Sequence, residues 1–82
     1  MNKLKKMLED CLLKNKDIIL SFGFANVSSN NTMSIENLRN DKFGIAINSG
    51  DFELFIAPDS IVEYDNIDDC YIIDNYLTIS TV

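Results

Sequence analysis

The segment from Glu63 to Asn75 concentrates the side chains of this sequence that are best suited to chemistry. It reads EYDNIDDCYIIDN and carries five carboxylates and no basic residue. Carboxylates in such a cluster can bind a cation, transfer protons, present negative charge to a partner, or form the turn between two strands. Their spacing and their neighbours decide among these roles.

The spacing of these carboxylates does not fit a metal site. A calcium loop of the EF-hand type has oxygen ligands at alternate positions and a glycine at the sixth. Counting from Asp65 places Ile67 at the third position and Cys70 at the sixth. The chain also has no histidine, and its two cysteines, Cys11 and Cys70, form no CxxC pair, which disfavours zinc. The sequence therefore predicts no metal site and no cofactor.

The residue pattern does not indicate catalysis either. General acid–base catalysis by two carboxylates needs a cleft whose different environments shift their two pKa values apart. A chain of 82 residues has little volume for such a cleft. The sequence shows no Ser or Cys nucleophile paired with a histidine base, and no glycine-rich phosphate loop. We expect a protein that is not an enzyme and has no catalytic residues.

The charge is distributed unevenly along the chain. The net charge is −6, yet residues 1–16 are basic and no Lys or Arg follows Lys42. The second half carries eight carboxylates: Asp51, Glu53, Asp59, Glu63, Asp65, Asp68, Asp69 and Asp74. Turn chemistry explains acids between strands, but not the missing lysines, because a surface that only confers solubility mixes both signs. Direct nucleic-acid binding by this half is disfavoured, since phosphates would be repelled.

The beginning of the chain predicts an amphipathic helix over about residues 2–15. Its apolar residues recur at the spacing of one helical face: Leu4, Met7, Leu8, Cys11 and Leu12. We expect this stripe to cover a sheet rather than a membrane surface, because the cationic excess is small. Glu9 and Asp10 interrupt any apolar segment of a signal peptide. The sequence thus predicts no membrane association, a cytoplasmic location and reduced cysteines.

Short β-prone segments follow the helix. Residues 17–27 predict a first strand, 28–32 a polar loop, and 33–41 either a helical turn or an edge strand. A hairpin around Gly50 joins 42–48 to 51–57, and 60–64, 70–73 and 76–82 predict further strands. The predicted fold is a single α+β domain over residues 1–82. In it, an N-terminal amphipathic helix packs on a strongly twisted antiparallel sheet of five to six short strands, with a small barrel as an alternative. A helix before about five strands resembles the order of Sm-like barrels.

In size, charge and lack of catalytic residues the chain is similar to phage-encoded inhibitors of bacterial defence, such as anti-CRISPR proteins, and to nuclease-blocking antitoxins. Carboxylates at strand spacings of about 4.7–7 Å can imitate the phosphates of a nucleic-acid strand. The resemblance implies an inhibitor that occupies a basic surface of a nucleic-acid-binding effector or nuclease. The predicted partner-binding residues are Glu63, Tyr64, Asp65, Asp68, Asp69, Tyr71, Asp74 and Tyr76.

Two alternatives remain open at this point. One is a homo-oligomeric β-module, Sm-like or otherwise, whose edge strands pair between subunits with Ile72, Leu77 and Ile79 at the contact. The other is an acidic Sm-like RNA-binding protein, in which the basic helix would have to hold all the RNA contacts.

Overall fold

The structure, a computed structural model, describes residues 2–24 and 27–81, without the side chains of residues 24 and 27–30. One helix precedes eight strands in this part of the chain. The elements are α1 (Asn2–Lys14), β1 (Asp17–Phe24), β2 (Val27–Ser34), β3 (Asn37–Asp41), β4 (Gly44–Ser49), β5 (Phe52–Ile56), β6 (Val62–Asp65), β7 (Cys70–Ile73) and β8 (Leu77–Thr81).

The helix lies where the sequence pattern predicts it, and its apolar stripe is buried at three positions and half-buried at Met7 and Leu12. Leu4 and Leu8 are fully covered and Cys11 nearly so. The helix ends at Lys14, and the next residue, Asn15, adopts a left-handed φ of 54°. The Lys16 amide donates to the Cys11 carbonyl at 2.9 Å, and the Asn15 amide donates to Leu12. This is a Schellman-type end with asparagine in place of the usual glycine.

The strands form two antiparallel sheets. The larger sheet has the order β2-β1-β8-β7-β6 and the smaller the order β3-β4-β5. An α+β fold with antiparallel pairing is therefore confirmed. The predicted number of strands is wrong, and no barrel closes in the described part of the chain, because the hydrogen-bonded ladders fall into two separate sheets.

The miscounted strands come from the polar segment after β1. Residues 28–32, predicted as a loop, belong to β2, which pairs with β1 without interruption from Asp17↔Ser34 to Phe24↔Val27. β2 is an outer strand of its sheet. Polar side chains are common on such edge strands because they discourage pairing with other chains. Of the two alternatives for 33–41, the edge strand is confirmed for residues 37–41 as β3, whereas Met33 and Ser34 end β2, and the helical turn is wrong.

A single apolar core joins the helix to both sheets. Fully or nearly buried aliphatic residues from α1, β1, β4, β5, β7 and β8 contact one another in it. Each such Leu or Ile contributes about 1.5–3 kcal/mol relative to an exposed side chain. The largest of these are Leu4, Leu8, Ile18, Leu20, Ile45, Ile47, Ile56, Ile73, Leu77 and Ile79.

The predicted hairpin around Gly50 is confirmed. Ser49 pairs with Phe52, which leaves Gly50 and Asp51 as a two-residue loop, and Gly50 has a φ of 58°. The connection from β7 to β8 is also tight. Asp74 and Asn75 take left-handed φ values of 51° and 62°, conformations that Asp and Asn tolerate better than other side chains.

Candidate partner-binding site

The predicted binding residues lie in or next to the β6–β7 hairpin, but the structure separates them into two groups. Asp65, Asp68 and Asp69 surround the turn that joins β6 to β7. Asp74 and Tyr76 lie in the β7–β8 turn at the opposite end of β7. Four-residue strands at about 3.3 Å per residue put roughly 10 Å or more between the ends. The eight residues therefore do not form one continuous patch.

The alternation of side chains divides the hairpin further. Tyr64 pairs with Tyr71, and Val62 pairs with Ile73, so these four share the face on which Ile73 is buried in the core. Glu63 pairs with Ile72 on the other face. Glu63 is therefore exposed on the side of the sheet away from the tyrosines.

Two tyrosines and one carboxylate come together on the helix side of the hairpin. The Tyr64 and Tyr71 ring centroids are 5.1 Å apart, with the planes tilted by 50°. The Tyr64 hydroxyl donates a hydrogen bond to Oδ1 of Asp69. This hydrogen bond raises the pKa of Tyr64 above its ordinary value, so the phenol stays protonated in the physiological range.

The sequence did not indicate that Lys3 belongs to this cluster. Its Nζ lies 5.9 Å from the centre of the Tyr64 ring, within reach of a cation–π contact. Lys3, Asn2, Val62, Tyr64 and Tyr71 line an open cleft of about 460 Å³ between the start of the helix and the hairpin. No sequence pattern relates residues 3 and 64, because their proximity arises from packing of the helix on the sheet.

Asp65 organises the turn at the tip of the hairpin. Its Oδ1 accepts hydrogen bonds from the amides of Ile67, at 2.9 Å, and Asp68, at 3.4 Å. Asp69 closes the turn with a left-handed φ of 53°. Ile67 stands at the tip with 90% of its surface exposed. Turn formation accounts for Asp65, whereas the carboxylate of Asp68 forms no ion pair with the described residues.

Asp74 has a structural role at the other end. Its amide donates to the Ile61 carbonyl at 2.8 Å, and its Oδ1 accepts from the Ile61 amide at 2.8 Å. These two bonds hold the β5–β6 connection against the β7–β8 turn. In the same turn the Tyr76 amide donates to the Ile73 carbonyl at 3.2 Å.

The acids of the second half are not neutralised within the described structure. The two ion pairs among the described residues both lie in the first half of the chain. They join Lys14 to Asp10 at 3.2 Å and Arg39 to Asp41 at 3.4 Å. None of the eight carboxylates after residue 50 takes part in an ion pair among the described residues.

Cys11 and Cys70 are both buried and not bonded to each other. Burial raises the pKa of each thiol, and for Cys70 the charges of Asp65, Asp68 and Asp69 raise it further. Within the described residues no group of three or more His, Cys, Asp or Glu side chains is arranged to hold a metal ion. No helix there is long and apolar enough to cross a membrane.

Two of the three contact residues expected for the homo-oligomeric alternative, Leu77 and Ile79, are contradicted by their burial, whereas Ile72 is half-buried. Leu77 and Ile79 are 1% and 0% exposed and pack in the core of their own chain. Both β7 and β8 lie inside the five-stranded sheet rather than at its edge. These side chains cannot be shared with a second subunit without unfolding the first.

A second groove lies between the helix and β3. Glu9, Leu12, Leu13, Leu38 and Asn40 line it, with a volume of about 650 Å³. The Asn40 amide donates to Oε1 of Glu9 at 3.0 Å across the groove, and Leu13 is 84% exposed at its rim.

Comparison of the chain with protein-family models, curated proteins and solved structures found no match. Function must therefore be argued from the chemistry of the hairpin and the charge around it.

Proposed function

We propose that this chain is a non-enzymatic interaction protein that binds a basic surface of another protein through its β6–β7 hairpin. The sharper form of this proposal is an inhibitor: the hairpin occupies a groove that a nucleic acid would otherwise fill. It acts as anti-CRISPR-like proteins or antitoxins do, by competition rather than by chemistry.

The observation that carries the proposal is the unneutralised charge around an ordered turn. Asp65, Asp68 and Asp69 lie within five residues, and no described basic side chain forms an ion pair with them. Holding like charges together on a small domain is unfavourable unless a partner supplies the opposite charge. Such charge mainly raises the association rate and orients the encounter.

The aromatic residues beside the acids provide contact area that charge alone does not. Tyr64 is 45% exposed and lies next to the half-buried Tyr71. Tyrosines at interfaces supply apolar area and a hydroxyl at low entropic cost. Ile67 at the tip adds an apolar side chain that can enter a pocket of the partner. Acids for steering and aromatic residues for affinity are the two components that such an interface needs.

The experiment is affinity capture from a lysate of the source cell at low and high salt, followed by competition. The captured protein, once purified, is mixed with a fluorescently labelled nucleic acid that it binds, and the anisotropy is followed as this chain is added. The proposal expects release of the nucleic acid at a stoichiometric ratio and weaker competition at high salt. A captured protein that binds this chain and its nucleic acid at the same time would contradict the inhibitor.

A homo-oligomeric β-module is the second candidate, favoured by the outer strands. β2 and β6 end the larger sheet, and β3 and β5 end the smaller, so hydrogen-bonding edges are present in both. In this case analytical ultracentrifugation would show a mass above 9.3 kDa that persists at high salt, because strand pairing is insensitive to screening.

A further inference from the structure

We propose that the Tyr64–Tyr71 cleft is a receptor for a basic side chain of the partner, and that Lys3 of this chain occupies its place in the free protein. The inference rests on the proposed binding role of the β6–β7 hairpin and specifies its ligand. The ligand is the ammonium group of a lysine in an exposed basic segment of a protein.

The shape of the cleft suits such a ligand. Two tyrosine rings, packed against each other with centroids 5.1 Å apart and planes tilted by 50°, form one side of the cleft. Val62 adds an apolar surface, and an open space of about 460 Å³ lies beside Lys3, which is itself one of the lining residues. Aromatic faces attract cations through the ring quadrupole, and an apolar wall accommodates the methylene stem.

The position of Lys3 shows that a cation is accommodated there. Its Nζ lies over the Tyr64 ring at 5.9 Å, although the lysine is exposed and free to extend into solvent. No carboxylate pairs with it among the described residues. The intramolecular contact is long and solvated, so a second lysine that approaches more closely can displace it.

The hairpin side of the cleft is negative and attracts a cation, whereas the helix side carries Lys3 and the positive end of the helix dipole. Asp69 accepts the hydroxyl proton of Tyr64 and places a carboxylate at the end of that ring. A negative group hydrogen-bonded to the phenol enriches the ring in electron density, which strengthens its attraction for a cation. Asp65 and Asp68 in the adjoining turn add to the negative potential.

The test uses a hexalysine peptide at low salt. Binding is followed by intrinsic tyrosine fluorescence, since the chain has three tyrosines and no tryptophan, and by NMR of the tyrosine rings. Tyr64→Leu should weaken binding by about two- to fivefold, the range expected for one exposed cation–π contact. Tyr64→Phe keeps the aromatic face but loses the hydrogen bond to Asp69, so its affinity should lie between those of wild type and Tyr64→Leu.

The lysine variants supply a readout that a structural role would not change. Lys3→Met should tighten hexalysine binding, because it removes the internal competitor. Lys6→Met makes the same charge change on an exposed position of the same helix and should tighten it clearly less. Equal effects of Lys3→Met and Lys6→Met, or wild-type affinity in Tyr64→Leu, would overturn the cation site.

The same set separates this inference from the function on which it rests. If Tyr64→Leu binds hexalysine and the captured partner like wild type, while neutralising the acids abolishes partner binding, only the cation site fails. If neutralising the acids also has no effect on partner binding, the proposed function fails with it.

Discussion

The hydroxyl of Tyr64, on β6, donates a hydrogen bond to Oδ1 of Asp69, at the end of the turn that leads into β7. One bond thus connects the aromatic and the acidic parts of the candidate site. It also spans the turn that Asp65 organises from the other side. The hairpin tip is therefore presented in a defined conformation.

This bond predicts a measurable change in acidity. Because Asp69 raises the pKa of Tyr64, Asp69→Asn should lower it toward the ordinary value of about 10. Asparagine tolerates the left-handed φ of residue 69, so the turn is kept. Titration of phenolate absorbance should show one of the three tyrosines ionising at higher pH in wild type than in the variant. Identical titration curves would contradict the hydrogen bond in solution.

The raised pKa of Tyr64 makes the folded protein less stable as the pH rises into the alkaline range. The folded pKa of Tyr64 lies above its unfolded value, so this group's contribution is fully present below about pH 10 and is lost as pH rises through the folded pKa. Wild type should therefore lose stability with rising alkaline pH more steeply than Tyr64→Phe. Denaturant melts of both proteins at a series of alkaline pH values would measure the difference.

The helix offers a matched pair of substitutions for the core. Leu8 is fully buried and Leu13 is 84% exposed, although both are leucines on α1. Leu8→Ala should lower the free energy of unfolding by about 2–5 kcal/mol, while Leu13→Ala should stay within about 0.5 kcal/mol of wild type. Chemical denaturation measures the free energy of unfolding of both variants. Similar losses of this free energy at both positions would mean that the helix packs differently.

Gly44 has a conformation that other residues rarely adopt. Its φ is 123°, and a Cβ there would collide with the carbonyl oxygen of Ile56 and touch the Phe55 ring. Gly44→Ala should therefore destabilise the domain by about 1–3 kcal/mol or more. Gly23→Ala is the control, because nothing lies within 4 Å of its added Cβ. Comparable melting temperatures for the two variants would contradict the β3–β4 turn geometry.

The sequence predicted the helix and the hairpins well because their signals are local. The stripe from Leu4 to Leu12 and the Asn-Ser-Gly-Asp turn each fix an element from a few neighbouring residues. β2 was not predicted because its sequence, VSSNNTMS, lacks apolar alternation. This segment is a strand because its backbone pairs with β1, which the sequence pattern does not show. The separation into two sheets is likewise a property of long-range pairing.

The candidate site was predicted in composition but not in arrangement. Tyr64, Asp69 and Tyr71 do come together, since cross-strand pairing across a short turn brings them to one place. Glu63 faces the other side, and Asp74 holds Ile61 at the far end. Lys3 was missed because its approach to Tyr64 depends on how the helix lies on the sheet.

The most direct test of the account compares two variants with the same net charge. The tip variant combines Asp65→Asn, Asp68→Asn and Asp69→Asn; the control combines Asp51→Asn, Glu53→Gln and Asp59→Asn. Each removes three charges, which changes the net charge from −6 to −3. The asparagines preserve the acceptor oxygen of residue 65 and the left-handed φ of residue 69, so both variants should fold.

The measurement is the affinity of each protein for the captured partner at several salt concentrations. If the β6–β7 turn is the binding surface, the tip variant should bind at least about threefold more weakly at low salt, the sum of three exposed charge pairs. Its salt dependence should also be flatter, while the control should stay close to wild type. A tip variant that binds as tightly as wild type at low salt, or a control that loses as much affinity, would contradict the account.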